Sequence, residues 1–259
     1  VENVVFGEYT NSGFYFELYD SNGIKYYERS FKGGSNFTGN VTAKYFEADE
    51  SGITIIANLV GASLADSIFI NDESEQRVIQ FHFDSYGFLL QQTVLFDGKN
   101  TDCQTVSKLG ANYYLVISGK HNYLDPEDTI QSEIIENYLV KADLNWVVEQ
   151  GYKIDSQSTT ASKFEIINYS GPNIALLEVQ EDGPMTLNVT TLNGEMEYLC
   201  SSSSHFDQDI SNIKVSQDKV IVNLRKNDTL GYAKVFSMSQ TSCDLILKTN
   251  ELFGNNFSV

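Results

Sequence analysis

Apolar and polar residues follow one another along this chain in short segments bounded by Gly, Asp, Asn or Ser, with no sustained helical period. Val, Ile, Thr, Tyr and Phe fill the segments, the residue types that suit a pleated, half-buried surface. The run Ile53-Thr54-Ile55-Ile56-Ala57-Asn58-Leu59-Val60 is almost wholly apolar, as expected of a strand buried on both faces. Two other strand-like segments, Phe14–Tyr19 and Ile79–Phe83, run into the turn signatures Asp20-Ser21-Asn22-Gly23 and Asp84-Ser85-Tyr86-Gly87, and a second apolar stretch follows each. Glycine there supplies the positive φ that a tight hairpin requires. Weaker copies stand at Asp143-Leu144-Asn145-Trp146, at Thr191-Leu192-Asn193-Gly194 and around Ser239-Gln240-Thr241-Ser242.

The turns recur roughly every 50 to 60 residues, a period built only of strands, which predicts repeated four-stranded antiparallel sheets. Taking each unit as strands A to D, the first full unit reads 41–49, 53–60, 77–83 and 88–96, and the second 102–109, 111–118, 136–142 and 146–154. The third reads 160–169, 173–179, 185–191 and 194–200, and the fourth 209–215, 219–225, 231–238 and 242–248. Residues 1–34 supply B, C and D without an A, while 249–259 supply the start of one. The expected fold is therefore all-β, a five-bladed β-propeller over residues 1–259. Its blades are 1–34 plus 249–259, 35–99, 100–156, 157–207 and 208–248, the first built from both chain ends. A neighbouring chain could supply the same missing strand by strand addition, which makes a filament where the contact does not close.

Composition narrows the classes. A hydrophobic fraction of 41%, with 15 Tyr and 16 Phe, is ample for a core, and three prolines in 259 residues exclude a disordered linker. The formal net charge of −18 repels phosphates and anionic lipid, so nucleic acid is an unexpected partner. No segment reaches the roughly 18 apolar residues of a membrane-spanning helix, so no insertion is expected. The start, Val1-Glu2-Asn3-Val4-Val5-Phe6, reads as a strand; any secretory leader is expected to have been removed already. Of Cys103, Cys200 and Cys243, the last two fall near the final strands of successive units, where a disulfide is conceivable.

One family shares this repeat. The stretch Tyr19-Asp20-Ser21-Asn22-Gly23 through Phe31-Lys32-Gly33-Gly34, continued by Asp49-Glu50-Ser51-Gly52-Ile53 and by Leu139 to Trp146, resembles a β-propeller repeat family of secreted bacterial proteins. The resemblance covers the first two-thirds of the chain well and the last third weakly, where Thr191 and Ser239 replace the turn Asp. It implies an extracellular propeller scaffold and brings no active-site residues.

No catalytic, cofactor or metal motif is present. Of the acidic pairs Asp49/Glu50, Asp72/Glu73, Glu127/Asp128, Glu181/Asp182 and Asp207/Asp209, nearly all fall in turns and loops; only Asp207 and Asp209 stand near the start of an A strand, beside the funnel where a glycosidase pair would sit. Asp20-Ser21-Asn22-Gly23 lacks the rest of a calcium loop; Asp125, Glu127 and Asp128 are the remaining hard-oxygen candidates. His82, His121 and His205 show no nucleophile-base pattern. Asn-x-Ser/Thr sequons occur at Asn36, Asn40, Asn168, Asn188, Asn227 and Asn256, with Asn168 and Asn188 inside predicted strands. These features together predict a non-enzymatic extracellular scaffold, a structural subunit of a surface fibre or coat that associates with itself or with other extracellular proteins. A carbohydrate-binding or carbohydrate-active propeller, using its central funnel on glycans, is the alternative.

Overall fold

A computed structural model describes residues 3–8, 13–32, 40–60, 76–98, 100–120, 123, 134–154, 163–180, 185–216, 219–227, 230–238 and 243–253. The described residues are all-β and form antiparallel sheets. Sheet 1 holds β1 (Asn3–Glu8), β2 (Gly13–Tyr19) and β3 (Lys25–Lys32) in that order. Sheet 2 holds β4 (Asn40–Asp49), β5 (Gly52–Val60), β6 (Gln76–Phe83) and β7 (Leu89–Gly98). Sheet 3 holds β8 (Asp102–Leu109), β9 (Asn112–Gly119), β10 (Glu136–Ala142) and β11 (Val148–Ile154). Sheet 4 holds β12 (Lys163–Ser170), β13 (Asn173–Gln180), β14 (Met185–Leu192) and β15 (Tyr198–Phe206). Sheet 5 holds β16 (Asp209–Ser216), β17 (Lys219–Asn227), β18 (Leu230–Met238) and β19 (Leu245–Phe253).

The chain falls into two compact units, Val1–Val106 with Leu115–Leu139, and Ser107–Tyr114 with Val140–Val259. In the first, the inner positions of β2, β5 and β6 share one core, where Phe16 meets Phe83 edge-on at 5.0 Å and Phe14 meets Phe81 at 6.2 Å. Each such ring buried is worth about 1.5–3 kcal/mol. In the second, the apolar faces of β13, β14 and β17 pack together, with Phe206 against Phe236 at 6.0 Å. Central strands β5, β9 and β13 are buried along nearly their whole length, which explains their unbroken apolar runs.

One hairpin is built four times. Asp20 Oδ1 accepts the backbone N–H groups of Asn22 at 2.9 Å and Ile24 at 2.8 Å, while the Asp20 N–H bonds to Ile24 O and the Gly23 N–H to Asp20 O. Asp84, Asp143 and Asn193 repeat the pattern with the residues two and four further on. The side chain thereby satisfies loop donors that the ladder leaves unpaired. The fourth residue of each turn has positive φ: Gly23 at 77°, Gly87 at 89°, Trp146 at 65° and Met196 at 61°. Cys243 at 57° precedes β19 at the corresponding place.

Two expectations are corrected here. The fourth turn opens at Asn193, not Thr191, because Thr191 and Leu192 are still paired within β14. Residues 249–253, expected to begin a strand completing the first sheet, instead extend β19, since β18 pairs with it from Gly231↔Phe253 to Met238↔Leu245. Residues 254–259 lie outside the described set.

Asp143 tests the hairpin. The backbone N–H of Val147 leads the hydrogen bonds that lower its carboxyl pKa, with Asn145 adding to them and desolvation opposing. A carboxyl depressed on folding stabilises the fold above its unfolded pKa, and this stabilisation is lost as pH falls through the folded value. Asp143→Asn keeps the acceptor, as Asn193 does naturally, and removes the titration. The acid limb of a melting-temperature profile should be shallower for Asp143→Asn than for the wild type; identical limbs would refute this role.

Candidate functional site

The hairpins aim their fourth residue at a neighbour. Gly87 faces the ring of Tyr27, and a Cβ added there would lie 2.3 Å from the Tyr27 Cε1. Tyr27 stands seven residues after Asp20. Cys200 stands seven residues after Asn193, and it is disulfide-bonded to Cys243, the positive-φ residue ahead of β19, with the Cα atoms 6.2 Å apart. Gln150, seven residues after Asp143, donates to Glu195 beside Met196 at 2.8 Å. The seventh residue after the cap thus meets the fourth turn residue of the next hairpin through ring contact or disulfide, and in the third case the turn residue beside it through a hydrogen bond. Thr191 and Ser202 surround the disulfide, donating to Cys200 O at 3.3 Å and Cys243 O at 2.8 Å. Trp146 turns inward onto Tyr113, the rings stacked at 3.8 Å. That contact offsets the roughly 1–2 kcal/mol by which a non-glycine residue resists the left-handed region.

A cleft of about 400 Å³ in the second unit brings together the β8–β9 turn, the β12–β13 turn and the tip of the β14–β15 hairpin. Lys141 lies on its wall, donates to Gly194 O at 3.2 Å and stands 3.6 Å from the Glu149 carboxylate. Asn112, Asn168 and Glu195 add amide and carboxylate groups, over Leu109, Ile174 and Pro172. Tyr114 is buried against the same cleft, and burial raises its phenol pKa, with Glu149 adding to the effect. These groups can exchange hydrogen bonds with a ligand; the lysine is already neutralised by Glu149.

A buried polar cluster sits in the first unit. The Asn58 amide donates to Cys103 O at 3.0 Å and accepts from the Cys103 N–H at 2.9 Å, fastening β5 to β8 as a strand partner would. It also donates to Asp102, which accepts from Gln104 at 2.5 Å on its other oxygen. Burial raises the Asp102 carboxyl, while Lys44 and these hydrogen bonds pull the other way. Cys103 is fully buried, and burial pushes its thiol far above the reactive range.

The remaining sequence candidates are scattered. Asp49 accepts from the Ser51 N–H and hydroxyl in a turn, and Asp207 and Asp209 are exposed. Thr54 pairs with His82 and Thr186 with His205 across strands. Asn168 is exposed near the end of β12. Asn188 lies mid-strand in β14, its amide accepting from Ser203 at 2.7 Å and facing Glu178. Asn40 opens β4 and Asn227 closes β17. Asn36, Asn256, His121, Asp72, Glu73, Asp125, Glu127, Asp128, Glu181 and Asp182 lie outside the described residues. The cleft escaped sequence reading because its groups come from turns far apart in the chain.

No protein-family model and no curated protein matches the chain. Among solved structures, it is similar to one from a study of two prolyl endopeptidases, at 11% identity and a TM-score of 0.40, covering 97% of this chain and 42% of that one. A puromycin hydrolase variant gives 8% identity and a TM-score of 0.39, covering 95% and 43%. A putative 6-phosphogluconolactonase from Bacteroides fragilis gives 13% and 0.32, covering 86% and 83%. The chain therefore spans less than half the length of the first two.

Two substitutions probe these clusters. Cys200 and Cys243 are separated by 43 residues. Chain-entropy reasoning assigns about 4 kcal/mol to closing such a loop, so the double Cys→Ala variant should unfold at clearly lower urea concentration. An unchanged midpoint would show that the bond does not constrain the unfolded chain. For Asp102, a carboxyl raised on folding costs stability once ionised, fully above the folded pKa and not at all below the unfolded one. Asp102→Asn should therefore raise the melting temperature at neutral pH, with the gain shrinking as pH falls through the carboxylate range; a loss at every pH would contradict it.

Proposed function

We propose that this chain is a non-enzymatic module of an extracellular assembly, a structural subunit of a surface fibre or coat, folded as a five-bladed β-propeller. The observation that carries the reading is sheet 1, which has three strands where each of its siblings has four. Among the described residues, β1 has no strand on its outer side. An unpaired edge is completed by a strand from the same chain or from another. Residues beyond Phe253 would close the ring; a neighbouring chain's strand would make a head-to-tail contact. The Cys200–Cys243 disulfide suits an oxidising compartment. The most reactive residue types are committed to structure: Cys103 is buried, and both described histidines pair with threonines.

A second reading, carbohydrate binding, is favoured by the cleft around Lys141. Its mixed donors and acceptors over an apolar floor suit a neutral, hydroxyl-rich ligand. The exposed Asn168 lies on the wall of that cleft, so a glycan attached there would compete for the same space.

Electron microscopy of the purified protein over a range of concentrations tests the main reading. Regular filaments or sheets, dispersed when residues 254–259 are deleted, are the expected result. Isolated rings at every concentration, together with saccharide binding that a Lys141→Ala change abolishes on a glycan array, would replace it with the second reading.

A further inference from the structure

The outer strand of sheet 2 is unusual for so acidic a chain. The turn residue Phe88 and β7 up to Phe96 read Phe-Leu-Leu-Gln-Gln-Thr-Val-Leu-Phe, without a charge, a proline or a glycine before the strand ends in Asp97-Gly98, although the whole chain carries −18. Solvent-facing edge strands are normally blunted by charged side chains or proline, because their unpaired N–H and C=O groups template pairing with another chain. Strand β7 is the last in its sheet, and among the described residues nothing pairs with its outer side. Its large apolar side chains face solvent: Phe88 is 61% exposed, Leu90 62% and Val94 43%. The adjoining turn adds Tyr86, also exposed.

The segment also reads nearly the same in both directions. About Gln92, Gln91 mirrors Thr93, Leu90 mirrors Val94, Leu89 mirrors Leu95 and Phe88 mirrors Phe96. In an antiparallel pair of identical strands related by a two-fold axis, residues equidistant from the axis lie opposite one another. Axial placement at Gln92 would therefore set amide against amide and leucine against valine, with no like charges facing, while Phe96 stays buried against Tyr123 within its own chain. Bulges at Leu90 and Leu95 bound the regular ladder to Gln91–Val94 on its β6 side, so the pairable stretch is short.

We infer that β7 is a homodimerisation edge whose partner is the β7 of a second copy of this chain, paired antiparallel about Gln92. The inference rests on the assembly reading and gives that assembly a two-fold contact, distinct from the β1 edge of sheet 1. A two-fold contact closes at two copies; combined with a second contact through β1, it would link rings into an extended array.

The test uses the whole chain. Gln92→Cys adds a thiol apart from the paired Cys200 and Cys243 and the buried Cys103. With the axis at Gln92, two such thiols face each other within disulfide reach, and mild oxidation should convert the protein to a covalent dimer. Gln91→Cys faces Thr93 and should crosslink poorly, whereas Gln91→Cys with Thr93→Cys should crosslink well. Gln92→Lys sets two ammonium groups opposite each other and should weaken the dimer by at least about tenfold in sedimentation equilibrium. Its site is exposed, and an unchanged melting curve will verify the fold. Wild-type protein that stays monomeric at high concentration, without Gln92→Cys crosslinking, overturns this inference together with the assembly reading. Assemblies that form equally well with Gln92→Lys overturn the inference alone and leave the β1 edge as the contact.

Discussion

The hairpin capped by Asp20, Asp84, Asp143 and Asn193 is the constraint on which the sheets depend. Its side-chain oxygen holds two loop N–H groups, so the turn length is set by covalent reach, and that length fixes the register of the two strands it joins. A slip of one residue would send the inner face of each strand to solvent. Because the fourth residue is forced to positive φ, its side chain leaves the loop at a defined angle, and the chain uses that position for Gly87 against Tyr27, Trp146 against Tyr113 and Cys243 against Cys200. A local backbone requirement therefore places tertiary contacts.

Much of this was legible because each step has a local sequence signature. Asp followed three residues later by Gly marks the first two hairpins, and the flanking apolar runs give strands on both sides. The fourth hairpin opens two residues later than its sequence signature, because Gly194 looks like the left-handed position whereas Met196 takes it. Methionine tolerates the conformation because its side chain is buried there. Propensity favoured glycine; packing outweighed it.

Strand β19 departs from its sequence pattern for a related reason. Strand β19 was expected to stop at 248, where Lys248, Asn250 and Glu251 dilute the apolar pattern. An outer strand needs only one buried face, and its length is set by its partner: β18 runs to Leu230, so its backbone groups draw β19 on to Phe253. Pattern reports burial, while hydrogen-bond accounting determines where a strand ends. The cleft around Lys141 lay beyond either signal, since nothing local links residue 110 to residue 194.

Edges remain the point at which the fold meets its surroundings. Four-stranded sheets with capped hairpins satisfy their interior hydrogen bonds but leave two open edges each. Strands β3, β11 and β19 carry charges along those edges, such as Arg29, Glu149 and Lys248. Strand β15 is uncharged, yet it is rich in serines, two of them held by Cys243 O and Asn188. Strand β7 carries its one charge, Asp97, near its far end, and exposes Leu90 and Val94 along an uncharged stretch before it. In a chain with this much negative charge, the eight exposed or half-exposed positions from Phe88 to Leu95 carry no acidic residue. A neutral, apolar stretch that is symmetric in sequence suits self-recognition, since a carboxylate at position 92 would face its own copy across the axis and one elsewhere would bury a charge against an apolar partner.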